Sequence, residues 1–207
     1  MKLHKSILTV TVAIAALLSM SCIELVSSLN PWFDIEEAVV DGPRLEGAWC
    51  LDEEDGGCSR DERMKFVRGP GNSWNVLVGG KVRHRVWVGE IEGMRYLDWM
   101  FLCEPSRNAE EDDCLSLDLG LGRHLLTQVT LLEEDRIELR LLDGETFEHL
   151  LSHRAEPLEY ARTKDGLVVV EDSVTLGELL SQQGRRLDLW YEETMVLTRA
   201  RAGRKSR

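Results

Sequence analysis

Residues 82–91 alternate: Val82, His84, Val86 and Val88 fall on one face, and Arg83, Arg85 and Trp87 fall on the other. A period of two becomes two unlike faces only when the backbone is extended, so this segment reads as a strand. Glu92-Gly93 then supplies turn residues, and over 95–103 Leu97, Trp99, Phe101 and Cys103 oppose Tyr96, Asp98 and Met100; together the two runs predict a hairpin. Shorter runs of the same kind cover 45–50, 64–67, 74–78, 125–132 and 136–142, the last with Ile137, Leu139 and Leu141 inward against Arg136, Glu138 and Arg140. Leu115, Leu117 and Leu119 also share a face, while Gly69-Pro70-Gly71-Asn72 and Gly79-Gly80 punctuate the series. Seven or eight short strands spaced this closely predict a closed or nearly closed antiparallel sheet.

Helical spacing comes late. Residues 143–154 set Phe147, Leu150 and Leu151 on one side of a helix. A second helix is expected from Thr175, where Thr175-x-x-Glu178 reads as a capping box ahead of Leu176, Leu179 and Leu180, with Gly184 as its stop. Residues 166–170 form an extended run between them, and 194–198 offer a last strand. The expected fold class is mainly β, an antiparallel barrel of about eight strands with one or two short C-terminal helices.

The N-terminus reads as an export signal over 1–21. Lys2 and Lys5 precede an apolar stretch from Ile7 to Leu18, too short to span a bilayer as a mature helix. Ser19-Met20-Ser21 would serve an ordinary signal peptidase, but Cys22 follows directly, and Leu18-Ser19-Met20-Ser21-Cys22 is similar to a bacterial lipobox, with Ser19 where leucine is commonest. The expectation is a lipid-anchored Cys22 at the mature N-terminus, with plain secretion as the alternative. Ile23 rather than an aspartate follows, which favours the outer membrane of an envelope that has one. Setting Cys22 aside leaves Cys50, Cys58, Cys103 and Cys114. In an oxidising compartment these allow three pairings, and the sequence-local one joins Cys50 to Cys58 and Cys103 to Cys114. Each bridge would stabilise the fold by roughly 2–4 kcal/mol. Spacings of seven and ten intervening residues do not suit zinc, and the acidic runs Asp52 to Asp55 and Glu110 to Asp113 lack the alternating ligands of a calcium loop.

The division expected of the chain is a signal over 1–21, a lipidated N-terminus and linker over 22–44, one β domain with C-terminal helices over 45–198, and a basic tail over 199–207. Charge is segregated along it. Without the seven Lys and Arg residues of the signal and the tail, 18 basic residues face 37 acidic ones, a formal −19 over residues 22–198. Such a body repels nucleic acid and anionic lipid.

Gly47-Ala48-Trp49, on the first strand after a charged linker, resembles the Gly-x-Trp that opens lipocalin and calycin barrels, where the tryptophan closes the floor. The wider layout extends the likeness: a lipobox, Ser28-Leu29-Asn30-Pro31-Trp32-Phe33, an acidic stretch into Leu45-Glu46-Gly47-Ala48-Trp49, a meander of strands, a short helix, and Thr163-Lys164-Asp165-Gly166-Leu167-Val168-Val169-Val170 before the capped helix. This resembles a group of small bacterial lipoproteins with a lipocalin-like domain and no assigned activity. The four further cysteines are not part of that pattern.

Catalytic signatures are lacking. No serine stands in a nucleophile elbow, no glycine loop precedes Lys-Ser/Thr, and no dinucleotide fingerprint occurs. His149 and His153 are four apart, a spacing that can present two imidazoles to one metal, but Leu150, Leu151 and Ser152 lie between them and no protease glutamate does. His84 and His124 are expected as core or rim residues. No enzyme activity, cofactor or metal is expected. Trp49, Trp74, Trp87 and Trp99 lie on predicted strands, as core fillers or as the lining of a ligand pocket. The expected function is a non-enzymatic binding module for a small apolar or amphipathic ligand, held on the envelope membrane by its anchor. The alternative is a structural or protein-interaction part of the envelope with no ligand.

Overall fold

The computed structural model describes residues 24–39, 45–51, 63–102, 122–153, 158–163 and 166–200. Eleven strands and two α-helices lie within them: β1 Leu25–Ser28, β2 Gly47–Leu51, β3 Met64–Arg68, β4 Ser73–Val78, β5 Lys81–Ile91, β6 Met94–Phe101, β7 His124–Leu132, β8 Arg136–Leu141, α1 Gly144–Ser152, β9 Tyr160–Thr163, β10 Gly166–Val169, α2 Ser173–Gln183 and β11 Met195–Arg199. β2 to β8 pair in chain order, β11 fits between β8 and β2, and β6 pairs with β7, so eight strands close on themselves. Every pairing around the ring is antiparallel. The expected barrel is therefore present, and closure leaves the ring with no unpaired edge.

Alternation sorts the side chains. Trp49, Phe66, Trp74, Val86, Leu97, Trp99, Ile137 and Leu197 gather in the interior cluster. The outward residues Trp87, Tyr96 and Leu126 belong to a second cluster, with Trp32, Phe33 and the buried faces of both helices. β5, β6 and β7 are thus buried on both sides, because the excursion between β8 and β11 and the N-terminal segment fold back over them. Trp87, a candidate for a pocket lining, faces away from the barrel interior; it shares a strand with Val86 and Val88 but has the opposite parity.

Residues 22–44 are not simply a linker. β1 pairs in parallel with β10 and extends the edge of β7 through Ser27 and Ser28, with Leu125 and His124 opposite; β9 then adds to β10. Trp32, Phe33 and Ala38 are buried, and the Val39 N–H donates to the Val88 carbonyl at 2.8 Å. Four residues are too few to show periodicity, and their partner strand lies about 140 positions away, so nothing local announces β1. Likewise Arg199 belongs to β11 and not to the tail, and the rest of the tail from 201 lies outside the described residues.

The helices start where a side chain satisfies their free N–H groups. Asp143 caps α1 by accepting from Thr146 N at 2.8 Å. α2 begins before the expected Thr175: Asp172 accepts from Thr175 N at 2.8 Å and is the true cap. Both Asp and Thr can cap, and the chain position of the first helical turn decides between them. Gly184 does follow the last turn of α2.

Candidate functional site

One end of the barrel is shut. Trp49 is fully buried, and its indole N–H donates to the Leu45 carbonyl at 2.7 Å. The Arg199 guanidinium lies 4.4 Å from the centre of the Trp49 ring, donates from Nε to the Glu134 carbonyl at 2.8 Å and from Nη1 to the Glu46 carbonyl. It therefore braces the β7–β8 turn against the start of β2. Gly47 sits at φ 129°, and a Cβ there would overlap that guanidinium, so both backbone and space call for glycine. Above this floor Trp49, Phe66, Val86, Leu97, Ile137 and Leu197 are each 0–2% exposed. They belong to one buried cluster in the barrel interior.

The other end differs. Leu51 closes β2, Met64 opens β3, Leu125 is the second residue of β7 and Met195 opens β11, so all four stand at the end opposite Arg199. They are apolar, packed on the interior cluster, and only partly buried. His84 faces the same interior, edge-on to Trp99 at 6.3 Å and to Phe101 at 4.9 Å between ring centres. Burial, with help from the neighbouring Arg83 charge, lowers its pKa to about 4, so the ring is neutral near pH 7.

Polar atoms within the barrel are unequally served. Trp99 Nε1 donates to Thr127 Oγ1 at 2.9 Å. Trp74 Nε1 and His84 Nδ1 are buried and have no partner among the described residues; an orphan of this kind costs about 1–3 kcal/mol. Trp74 stands opposite Val86, and His84 stands opposite Val76, so the two residues are diagonal neighbours on β4 and β5. The Arg68 guanidinium lies 4.0 Å from the centre of the Trp74 ring.

A buried pair on the outer face of β6 and β7 escaped the sequence reading. Asp98 is fully buried; its Oδ1 lies 2.8 Å from His124 Nδ1 and its Oδ2 accepts from Trp32 N at 3.1 Å. Trp32 Nε1 in turn donates to the His124 carbonyl at 3.0 Å, and Trp87 stacks on the His124 ring. Desolvation raises the Asp98 pKa, and the His124 and Trp32 contacts oppose that rise. A carboxylate holding an imidazole is two-thirds of a nucleophile triad. Ser28 does lie across from His124, but its hydroxyl is fully buried and accepts from Asn30 N at 3.1 Å. Among the described residues no hydroxyl bonds the His124 ring, and the pair instead ties the N-terminal segment to the barrel. Its one sequence signal is an acidic residue inside the apolar run Tyr96-Leu97-Asp98-Trp99-Met100.

His149 and His153 stack on α1 with ring centres 4.0 Å apart and planes within 16°. Parallel rings aim their lone pairs side by side and not at one point, and His153 Nδ1 already meets the His149 carbonyl at 2.9 Å. Among the described residues no three His, Cys, Asp or Glu side chains come together as a metal set. Cys50 is buried on β2 and is not a free thiol. Cys22, Cys58, Cys103 and Cys114 lie outside the described residues. Set against known proteins, the chain matches no protein family, no curated protein and no solved structure.

Proposed function

We propose that this chain is a cell-envelope lipoprotein whose barrel is a non-enzymatic, lipocalin-like binding module for a small apolar or amphipathic ligand, taken at the end of the barrel away from Trp49. One observation carries the reading: the two ends are built differently. The floor is closed by Trp49, Leu45 and Arg199, while the opposite end presents partly open apolar side chains that continue the interior core. An eight-stranded barrel has room for side chains alone or for one small ligand, and a one-ended lining of this kind favours a ligand seated high in the barrel.

Acylation of Cys22 supplies the anchor in this reading, and two disulfides among Cys50, Cys58, Cys103 and Cys114 supply the staples. β1 starts three residues after Cys22, an extended reach of about 10 Å. The anchored domain would therefore rest with its β1–β10–β9 extension close to the lipid and not swing on a long tether.

The second reading, a structural or protein-interaction domain without a ligand, draws on the filled middle of the barrel, where tryptophans interlock with leucines and valines. Native mass spectrometry with lipid extraction of the protein purified from its membrane separates the two. A co-purifying small molecule in stoichiometric amount supports the binding module. Protein free of any ligand, and unable to take up an apolar probe, would leave the second reading.

A further inference from the structure

The N-terminal segment is fastened to the domain from Glu24 onward. The Glu24 N–H donates to Tyr191 Oη at 3.2 Å, its carboxylate pairs with Arg162, and a Cβ on Gly144 would lie 2.7 Å from the Glu24 carbonyl oxygen. Leu25 opens β1 opposite Gly166, where a Cβ would overlap the Leu25 backbone. Only Cys22 and Ile23 stand between this fastening and the Ser21–Cys22 bond, about 7 Å of chain at full extension. Resting on the reading of residues 1–21 as an export signal, we propose that β1 times maturation: the signal is removed while β1 is undocked, and β1, once docked, withholds the cut site from the signal peptidase.

Removing the signal is a hydrolysis in which water adds across the Ser21–Cys22 amide, leaving a carboxylate on Ser21 and an amine on Cys22. The apolar stretch from Ile7 to Leu18 holds that bond at the membrane. A peptidase takes its substrate as an extended chain on both sides of the cut, through main-chain hydrogen bonds. With β1 docked, the residues beyond Ile23 have already given those groups to Tyr191, β10 and β7. Two residues are too short a lead to bring the bond into a cleft without the domain striking its walls. The topology leaves time for the cut. The eight-stranded ring closes without β1, which pairs with it only where Ser27 and Ser28 face Leu125 and His124. The main partner, β10, comes far later in the chain: the Ser27 hydroxyl donates to the Leu167 carbonyl 140 positions downstream. That pairing has to wait until nearly the whole chain has been exported, and contacts over such a separation form late.

The test uses full-length precursor accumulated in cells whose signal peptidase is inhibited, purified folded in mild detergent and then mixed with membranes from untreated cells. Cutting at Ser21–Cys22 is followed over time by mass spectrometry. The wild type is compared with two variants. One carries a flexible insert of about ten Gly and Ser residues between Ile23 and Glu24. The other is Gly166→Val, whose side chain strikes the Leu25 backbone and unseats β1. Both variants should be cut at least about tenfold faster than the wild type, because cleavage no longer waits for β1 to open. The insert leaves every contact from Glu24 onward in place, so it decides the outcome even if Gly166→Val does not fold. Equal rates for the wild type and the insert would overturn the timing role and leave the export signal standing. No cut at this bond in any of the three chains would overturn the export signal itself.

Discussion

Replacing Trp49 by alanine should lower the stability of the domain by about 4–5 kcal/mol. Truncating a buried tryptophan typically costs about 3–5 kcal/mol through lost burial and the cavity left behind, and Trp49 is fully buried. Two further losses push toward the upper end. The Leu45 carbonyl would lose the indole that donates to it at 2.7 Å, worth about 1 kcal/mol net. Arg199 would lose the ring 4.4 Å below its guanidinium, worth about 0.5–1 kcal/mol. These terms overlap, since the same atoms supply burial and contact, and so they do not add in full. With a urea dependence of about 2 kcal/mol per molar, the midpoint should fall by about 2 M. Far-UV circular dichroism is the readout, because the substitution itself changes tryptophan fluorescence, and both proteins should be kept unreduced. Trp49→Phe retains most of the ring volume and should cost about half as much. A Trp49→Ala midpoint within about 0.3 M of the parent would mean that the floor contributes little, and the packing argument for this end of the barrel would be wrong.

Four shorter predictions accompany it. His84 has a folded pKa near 4 against an ordinary 6.5, so the unfolded chain binds its proton more readily between those values. Its stabilising contribution, up to about 3 kcal/mol, is present above pH 6.5 and is lost as pH falls toward 4. Urea midpoints from pH 7 to 4 should therefore drop less steeply in His84→Leu, and parallel curves would refute this. Asp98 has the opposite sign: burial raises its pKa, so its contribution is fullest at low pH and declines as pH rises through the raised value. Asp98→Asn, which can still accept from Trp32 N, should flatten that decline at little cost in stability, whereas Asp98→Ala should cost about 3 kcal/mol; equal damage from both would contradict the assigned roles. Thiol counting on denatured, unreduced protein should find no free cysteine among Cys50, Cys58, Cys103 and Cys114, and two or more free thiols would remove the disulfides. Feeding cells an alkyne fatty acid should label the wild type and not Cys22→Ser, and equal labelling of both would exclude acylation at that residue.

Much of the barrel was legible because its information is local. In β5 and β6 the inward set Val86, Val88, Leu97 and Trp99 follows directly from a period of two, since successive side chains of an extended backbone must point to opposite sides. Turn glycines marked the same hairpins: Gly79, Gly80 and Gly93 all have positive φ. The Gly-x-Trp of β2 was legible as well, although the reason for its glycine, the Arg199 guanidinium packed against it, lies about 150 residues along the chain.

What the chain could not announce depends on partners far away in sequence. Alternation separated the two faces of β5 and β6 but could not say what covers the outward one, where Trp87, Tyr96 and Leu126 are buried with residues of α1, α2 and the N-terminal segment. β1 and β9 have four residues each and exist as strands through pairing with distant partners, β1 with β10 and β7 and β9 with β10. Asp98 and His124 meet because the β6–β7 register sets them diagonally on one face, and Trp32 completes the group from 66 residues upstream of Asp98. The orphaned atoms of Trp74 and His84 likewise follow from what the closed barrel excludes. The sequence by itself determined the strand faces and most of the turns, because these obey backbone geometry over a few residues. Only the tertiary structure decided which faces were covered, where the ring closed and which polar groups found partners, because a buried group must be satisfied by whatever the fold brings beside it and the local sequence does not contain that neighbour.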